Sequence, residues 1–228
     1  LAMKQLAATL KHMEFSRELL HLGFEFVTLP EGAMSSRKGN IIRWSDLREA
    51  MEKRITDSTV LRHPEWKAKA VSANVEALMM AAIKFMMLRH DPERLMVFDM
   101  EEAMATDGFT GPYILYTIAR INSLHAKTKV SAFPLASALV DSQEVQLLRK
   151  VSEYPDVVAQ AGTEMRPSLV CLYAFELAQM FSRYYAEVHM IDEEQPSLTA
   201  ARLGLADVVS STLTNAMELL NIPVVKAM

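Results

Sequence analysis

The chain has 228 residues, half of them apolar, and a formal net charge of −4. The apolar share excludes a largely disordered chain, and the negative balance argues against an indiscriminate nucleic-acid coat, which is normally basic. A single cysteine, Cys171, excludes an intramolecular disulfide and a Cys-rich zinc site and suits a reducing cytosol.

The length allows one large domain or two modest ones, and sixteen Met against seven Gly favour helices. Met3, Leu6, Ala7, Leu10 and Met13 make one stripe, which predicts an amphipathic helix over residues 3–13. Residues 21–29, HLGFEFVTL, place Phe24, Phe26 and Thr28 in alternation and predict a short strand that Pro30–Gly32 ends. The stretch that follows, LPEGAMSSRKGNIIR (29–43), sets Ser35 and Ser36 beside Arg37, Lys38 and Arg43, with no acid among the cations. Two readings fit it: a solvated basic loop, or a loop that grips a polyphosphate. Residues 41–44 read as a second strand or the approach to a helix.

Ser45 is an expected N-cap, with Asp46 and Glu49 in a first turn that favours acids. From Glu65 to Arg89 the pattern is helical, with Val75, Leu78, Met79, Ala82, Ile83, Met86 and Met87 on a wide apolar face. Lys84 interrupts that face and is expected to snorkel its amine to water. Asp91-Pro92 stops the helix. In the turn DGFTGP (107–112), Thr110 is a cap and Pro112 is pre-set for the first helical position, which predicts a helix from Tyr113 to Lys129. Its far end, from Arg120, carries three cations and no acid, which suits a helix C-terminus. Residues 132–138 are a linker candidate. Helices are predicted over 135–151 and 154–161, then from Pro167 with Leu169, Leu172, Tyr173, Leu177, Met180, Phe181 and Tyr184 on one stripe. The last helix is expected over 199–220, with Leu203, Val208, Leu213, Met217 and Leu220 inward. From about residue 45 onward this is an all-α pattern of antiparallel helices with short connections.

The six histidines are scattered without ligand spacing, so no metal site is expected. Neither a Ser-centred elbow nor a Gly-rich dinucleotide motif occurs. Glu101 and Glu102 are adjacent and do not face one another on a helix. Cys171 sits in an apolar run and reads as a small buried side chain. No run of about 18 uncharged apolar residues appears, so no membrane span is expected. The opening at Leu1 reads as a cut within a longer protein, not a signal peptide. What remains is the basic loop and the aromatic–basic helix around Tyr113, Tyr116 and Arg120.

Over essentially its whole length the chain resembles the C-terminal part of arginyl-tRNA synthetase. Met34-Ser35-Ser36-Arg37-Lys38-Gly39-Asn40 looks like the Lys-Met-Ser-Lys-Ser loop of class I synthetases, in the form used by arginine enzymes of the archaeal and eukaryotic type. MKQLAATLKHM (3–13) and HLGFEFVTLPEG (21–32) are similar to the segment that leads into that loop, and AIKFMMLRHD (82–91) with VFD (97–99) resembles the connecting helix. GFTGPYILYTIARINSL (108–124) looks like the first anticodon-domain helix. RPSLVCLYAFELAQMFSRYY (166–185) and the run from Ala201 to Met228 resemble the closing helices.

The resemblance implies a mainly α fold: a helical anticodon-binding bundle preceded by a small α/β remnant of the nucleotide-binding catalytic domain. The implied divisions are 1–45 for the end of the catalytic domain, 46–106 for a helical connector and 107–228 for the anticodon-binding domain. It implies a cytoplasmic ligase that uses ATP, with Mg2+, to join arginine to its tRNA. Arg37 and Lys38 would offset charge building toward pyrophosphate. Met34, Ser35 and Ser36 would complete the ATP contacts, and Gly39 would let the loop move. Gln5 would lie beside the arginine substrate. Tyr116, Arg120, Tyr184, Tyr185, His189 and Met228 would meet the tRNA, the aromatic ones by stacking on splayed anticodon bases. The missing N-terminal catalytic half would be a partner; DNA and membrane would not.

Two departures bear on this. Ala33 stands where relatives often carry Lys, and Leu115-Tyr116-Thr117-Ile118-Ala119-Arg120 replaces the usual Gln-Tyr-Ala-His-Ala-Arg. The His-Ile-Gly-His signature is not in the sequence, so the chain alone is expected to be inactive. Three readings stand: part of an arginine–tRNA ligase, a non-catalytic helical tRNA-binding or protein-interaction module, and a structural bundle with a coincidental loop. The ordered match argues against the last.

Overall fold

The computed structural model describes residues 2–17, 19–34, 41–132, 136–225 and 227–228. In chain order these form α1 (Ala2–His12), β1 (Val27–Thr28), α2 (Trp44–Arg62), α3 (Ala68–Leu88), β2 (Met96–Val97), α4 (Met100–Met104), α5 (Gly111–His125), α6 (Ser142–Ser152), α7 (Tyr154–Glu164), α8 (Ser168–Glu187) and α9 (Pro196–Leu219). A short 3₁₀ turn at Ala136–Ala138 precedes α6. The fold is mainly α, as the Gly-poor composition predicts.

Two apolar clusters organise these helices. The larger joins α5, α8 and α9 through side chains such as Ile114, Ile118, Leu177, Phe181 and Leu213. The smaller joins α2, α3 and the segment around Phe98, with Met51, Met79 and Met86 at its centre. α3 serves both: Ala81 and Phe85 belong to the larger cluster, and Val75, Met79, Ala82 and Met86 to the smaller. A helix buried on two sides is apolar nearly all round. By length and composition α3 is long and apolar enough to cross a membrane; in this fold nine of its residues are buried, and it packs on α2, α4, α5 and α8. α5 starts so close to α3 that a Cβ on Gly111 would lie 2.3 Å from the Ala81 carbonyl oxygen. Only glycine permits that approach.

Local signals decide where several helices begin. The Thr110 hydroxyl oxygen accepts from the Tyr113 N–H, and Pro112 sits in the first turn of α5, as predicted. α2 departs from expectation: it starts at Trp44 after an extended Arg43, and the Ser45 hydroxyl donates to Asp46 at 2.9 Å instead of capping. Lys84 is also not simply solvated, because its amine donates to the Asn221 carbonyl past the end of α9. There it meets the carbonyl-rich end of a helix, which favours a cation. α5 ends at His125, four residues early, so Lys127 and Lys129 follow the helix. On α9, Val208 is 39% exposed, while Leu205, Val209 and Leu213 face inward at i, i+4 spacing.

The predicted strand over 21–29 shrinks to Val27–Thr28. It pairs in parallel with β2, Val27 opposite Met96 and Thr28 opposite Val97. Before β1 the backbone still meets the facing chain, the Glu25 N–H donating to the Pro92 carbonyl at 2.8 Å and the Phe26 carbonyl accepting from the Met96 N–H at 3.4 Å, but the Phe24 and Phe26 side chains are 84% and 82% exposed. After β1, Leu29 and Gly32 exchange backbone hydrogen bonds of 3.0 and 2.8 Å around Pro30-Glu31. Gly32 supplies the left-handed φ of 113°.

Candidate nucleic-acid interface

The larger core presents an aromatic–cationic cluster at its surface between α5 and α8. Tyr116 and Arg120 lie four residues apart on α5, hence on one face, and the Arg120 guanidinium donates to the Tyr116 hydroxyl at 2.7 Å. The guanidinium lies 4.6 Å from the Tyr116 ring centroid and 5.3 Å from that of Tyr185 on α8. Tyr116 is exposed and the other two are half-buried. Arg120 therefore joins two rings contributed by different helices. Flat π-faces beside a cation are what unstacked bases and their phosphates require.

Tyr184 does not belong to this surface. It is fully buried, and its hydroxyl donates to Glu144 at 2.9 Å. Burial and the Glu144 hydrogen bond both push its phenol well above the ordinary range. The expectation that it stacks on a base is corrected on that ground: neither face of the ring reaches solvent. Neighbouring positions on a helix point about 100° apart, so Tyr185 turns outward where Tyr184 turns in. Leu115 and Ile118 are likewise buried in the larger core. They fill space there, while Tyr116 and Arg120 lie on the outward face of α5.

Met228 is half-buried and lines a cavity of about 380 Å³ with Arg54, Arg62, His63, Asn74 and Pro112. The Asn74 amide donates to the Ala227 carbonyl at 2.8 Å, which fastens the chain end over α3. His63 stacks on Trp66 with ring centroids 4.2 Å apart, and Arg54 forms an ion pair with Glu101. Pro112 is one turn before Tyr116, so the cavity and the aromatic cluster share a face of α5. His189 is exposed just beyond α8, and its carbonyl accepts from Arg202 at 2.7 Å.

The other expected site residues lie elsewhere. Gln5 is exposed on α1, which buries none of its residues, and Met34 is 41% exposed. Ser35, Ser36, Arg37 and Lys38 lie outside the described residues. Among those described, no group of three or more His, Cys, Asp or Glu side chains is placed to hold a metal ion. Cys171 is fully buried, and burial pushes its thiol up to about 12. Asp91 accepts from the Ser168 hydroxyl at 2.5 Å and from Nε and Nη2 of Arg166, and these bonds hold its carboxyl below the usual range.

Sequence reasoning missed the buried Glu144. The spacing Asp141–Glu144 is a readable capping box, and that box is present at the start of α6. Its second role, an ion pair with Arg202 at 2.8 Å, spans 58 positions and left no local signal.

Residues 114–228 match the DALR anticodon binding domain family. Among curated proteins the chain is similar to the arginine–tRNA ligase of Bdellovibrio bacteriovorus, 35% identical over 92% of this chain and 37% of that protein. It is also similar to that of Methanoregula boonei, 33% identical over 98% of this chain and 39% of that protein. Among solved structures it is similar to the arginyl-tRNA synthetase of Thermus thermophilus, with a TM-score of 0.79 and 26% identity over 91% of this chain and 35% of that one. The chain thus spans little more than a third of the length of these relatives. With Tyr116, Arg120, Tyr185, His189 and Met228 all inside the matched residues, the chain belongs to the DALR anticodon-binding domain family.

Proposed function

We propose that this chain binds the anticodon arm of an arginine tRNA and acts as the tRNA-holding part of an arginine–tRNA ligase. The observation that carries this reading is the Tyr116–Arg120–Tyr185 cluster, two base-sized ring surfaces joined by one guanidinium on the surface of the matched domain. Tyr116 and Tyr185 would stack on splayed bases, and Arg120 would meet a phosphate or a base face. His189 and the Met228 cavity would take neighbouring nucleotides. With a net charge of −4, few phosphates can be neutralised, so binding is expected to be weak and salt-sensitive.

The whole activity follows from the same reading. Arginine attacks the α-phosphate of ATP, pyrophosphate leaves, and the arginyl group passes to the terminal adenosine of the tRNA. Arg37 and Lys38 would offset the charge that builds toward pyrophosphate; Met34, Ser35 and Ser36 would hold ATP with its Mg2+. Gln5 would sit beside arginine, and the setting would be the cytoplasm. The exposed apolar side chains of the first 26 residues, Met3, Leu6, Phe24 and Phe26 among them, support docking of this segment on a further catalytic part. By this account the 228-residue chain binds tRNA and does not activate arginine.

Titration of labelled arginine tRNA and of an unrelated tRNA into the purified chain tests the binding. The expected outcome is tighter binding of the arginine tRNA, weakening steeply with salt. Equal binding of both would remove the specificity. Arginine-dependent pyrophosphate exchange by the chain alone would refute the division of labour.

A further inference from the structure

Glu144 is a fully buried carboxylate, and a buried charge is costly unless every lone pair is used. Here they are used. Oε1 accepts from the Tyr184 hydroxyl at 2.9 Å and from Arg202 Nε at 2.8 Å, and Oε2 accepts from the Asp141 N–H at 3.0 Å. Arg202 then places Nη1 on the His189 carbonyl at 2.7 Å. A further link, from the Gln143 amide to Glu187 at 2.8 Å, ties the same two helix ends together. One carboxylate thereby joins the start of α6, the last turn of α8 and the early turns of α9.

Packed apolar side chains of similar volume would stabilise such a junction as well or better. What they would not supply is direction. Tyr184 can meet Glu144 at only one rotation of α8, and with Tyr184 so fixed, Tyr185 points about 100° away, toward Arg120. Arg202 holds the chain where it leaves α8, at the carbonyl of His189. We propose that Glu144 and Arg202 are positioning residues for the RNA-facing end of α8, setting the rotation at which Tyr185 and His189 are presented. This rests on the tRNA-binding reading above.

The test uses the full chain with Glu144→Gln, Tyr185→Ala and the double variant, titrated with arginine tRNA well below every melting temperature. The Gln amide keeps the volume and an acceptor for Tyr184 but loses the charge that orders Arg202. Glu144→Gln should bind about fivefold more weakly, and the same change in the Tyr185→Ala background should cost less than about twofold. Amide NMR signals of residues 185–189 should move in Glu144→Gln while those of α2 stay in place. A variant that melts lower yet binds as the parent does, or a fivefold loss that persists without the Tyr185 ring, makes the pair merely structural and overturns the proposal. If Tyr185→Ala itself loses no affinity, the tRNA reading fails instead. The amide signals still decide the positioning, and unmoved signals at 185–189 overturn it. Should Glu144→Gln not fold, Arg202→Lys gives the same readouts, since one amine cannot span both Glu144 and the His189 carbonyl. It is expected to show the same pattern, and parent-like binding with unmoved signals would overturn the proposal.

Discussion

α1 and α8 both carry an apolar stripe, yet α1 buries none of its residues while α8 buries nine. The difference is in what surrounds them. α8 lies between α5, α6, α7 and α9, and its stripe meets other stripes of the same chain. The Met3 and Leu6 side chains of α1 are each 48% exposed, and the segment after it holds Phe24 and Phe26 almost fully in solvent. Periodicity tells that a helix has an apolar face; it does not tell whether the surface that covers the face lies in the same stretch of chain. The body from α2 to α9 closes its own two cores. The segment before β1 offers apolar surface that the described residues leave uncovered.

The largest expected effect separates the two regions directly. Phe181→Ala, at the centre of the larger core, should cost about 3–5 kcal/mol in denaturant unfolding. Phe24→Ala or Phe26→Ala should change stability by no more than about 0.5 kcal/mol. Comparable losses at both places would mean that the N-terminal segment is packed and the contrast is wrong.

A second pair of substitutions tests the helix crossing that the body depends on. Gly111→Ala drives a Cβ into the Ala81 backbone and should cost about 1–3 kcal/mol, or more if α3 cannot yield. Gly162→Ala, in α7 with nothing within 4 Å of the added carbon, should stabilise by about 0.5–1 kcal/mol. Thermal melts of the two variants should move in opposite directions.

A smaller effect is expected from alkali. Burial pushes the Cys171 thiol up to about 12 and raises the Tyr173 and Tyr184 phenols. In the unfolded chain these groups ionise near their ordinary values, so above about pH 9 the folded state holds protons that the unfolded state has released. Stability is therefore full below pH 9 and falls as pH rises toward 12. Denaturation midpoints measured from pH 7 to 11 should decline on the alkaline side, less steeply in Cys171→Ala once its own stability offset is subtracted. Cys171 should resist alkylation until the body unfolds.

Much of the body was legible because local chemistry and global packing agree there. Thr110 and Pro112 announced the start of α5, and Tyr173, Leu177, Phe181 and Tyr184 of the predicted stripe are buried on α8, whereas Leu172 is 45% exposed. Where the sequence misled, the deciding partner was distant. β1 pairs with residues about 70 positions away, and no alternation in HLGFEFVTL could reveal how few of its residues would find that ladder. Lys84 read as a snorkelling amine because its acceptor, Asn221, lies 137 residues on. Tyr184 and Tyr185 are chemically alike and adjacent, and only the placement of Glu144 and Arg120 tells the inward ring from the outward one. Residues 35–40, so prominent in the sequence, lie outside the described residues, and their role rests on the resemblance.

The most direct measurement is the affinity of the full chain for an arginine-tRNA anticodon stem-loop, compared among the parent, Tyr185→Ala and Tyr184→Phe. Tyr185→Ala should lose about 1–3 kcal/mol of binding with helix content retained. Tyr184→Phe, which only removes the bond to Glu144, should lose less. Unchanged affinity in Tyr185→Ala, or collapse of its helix content, would contradict the claim that this outward ring is where the chain meets RNA.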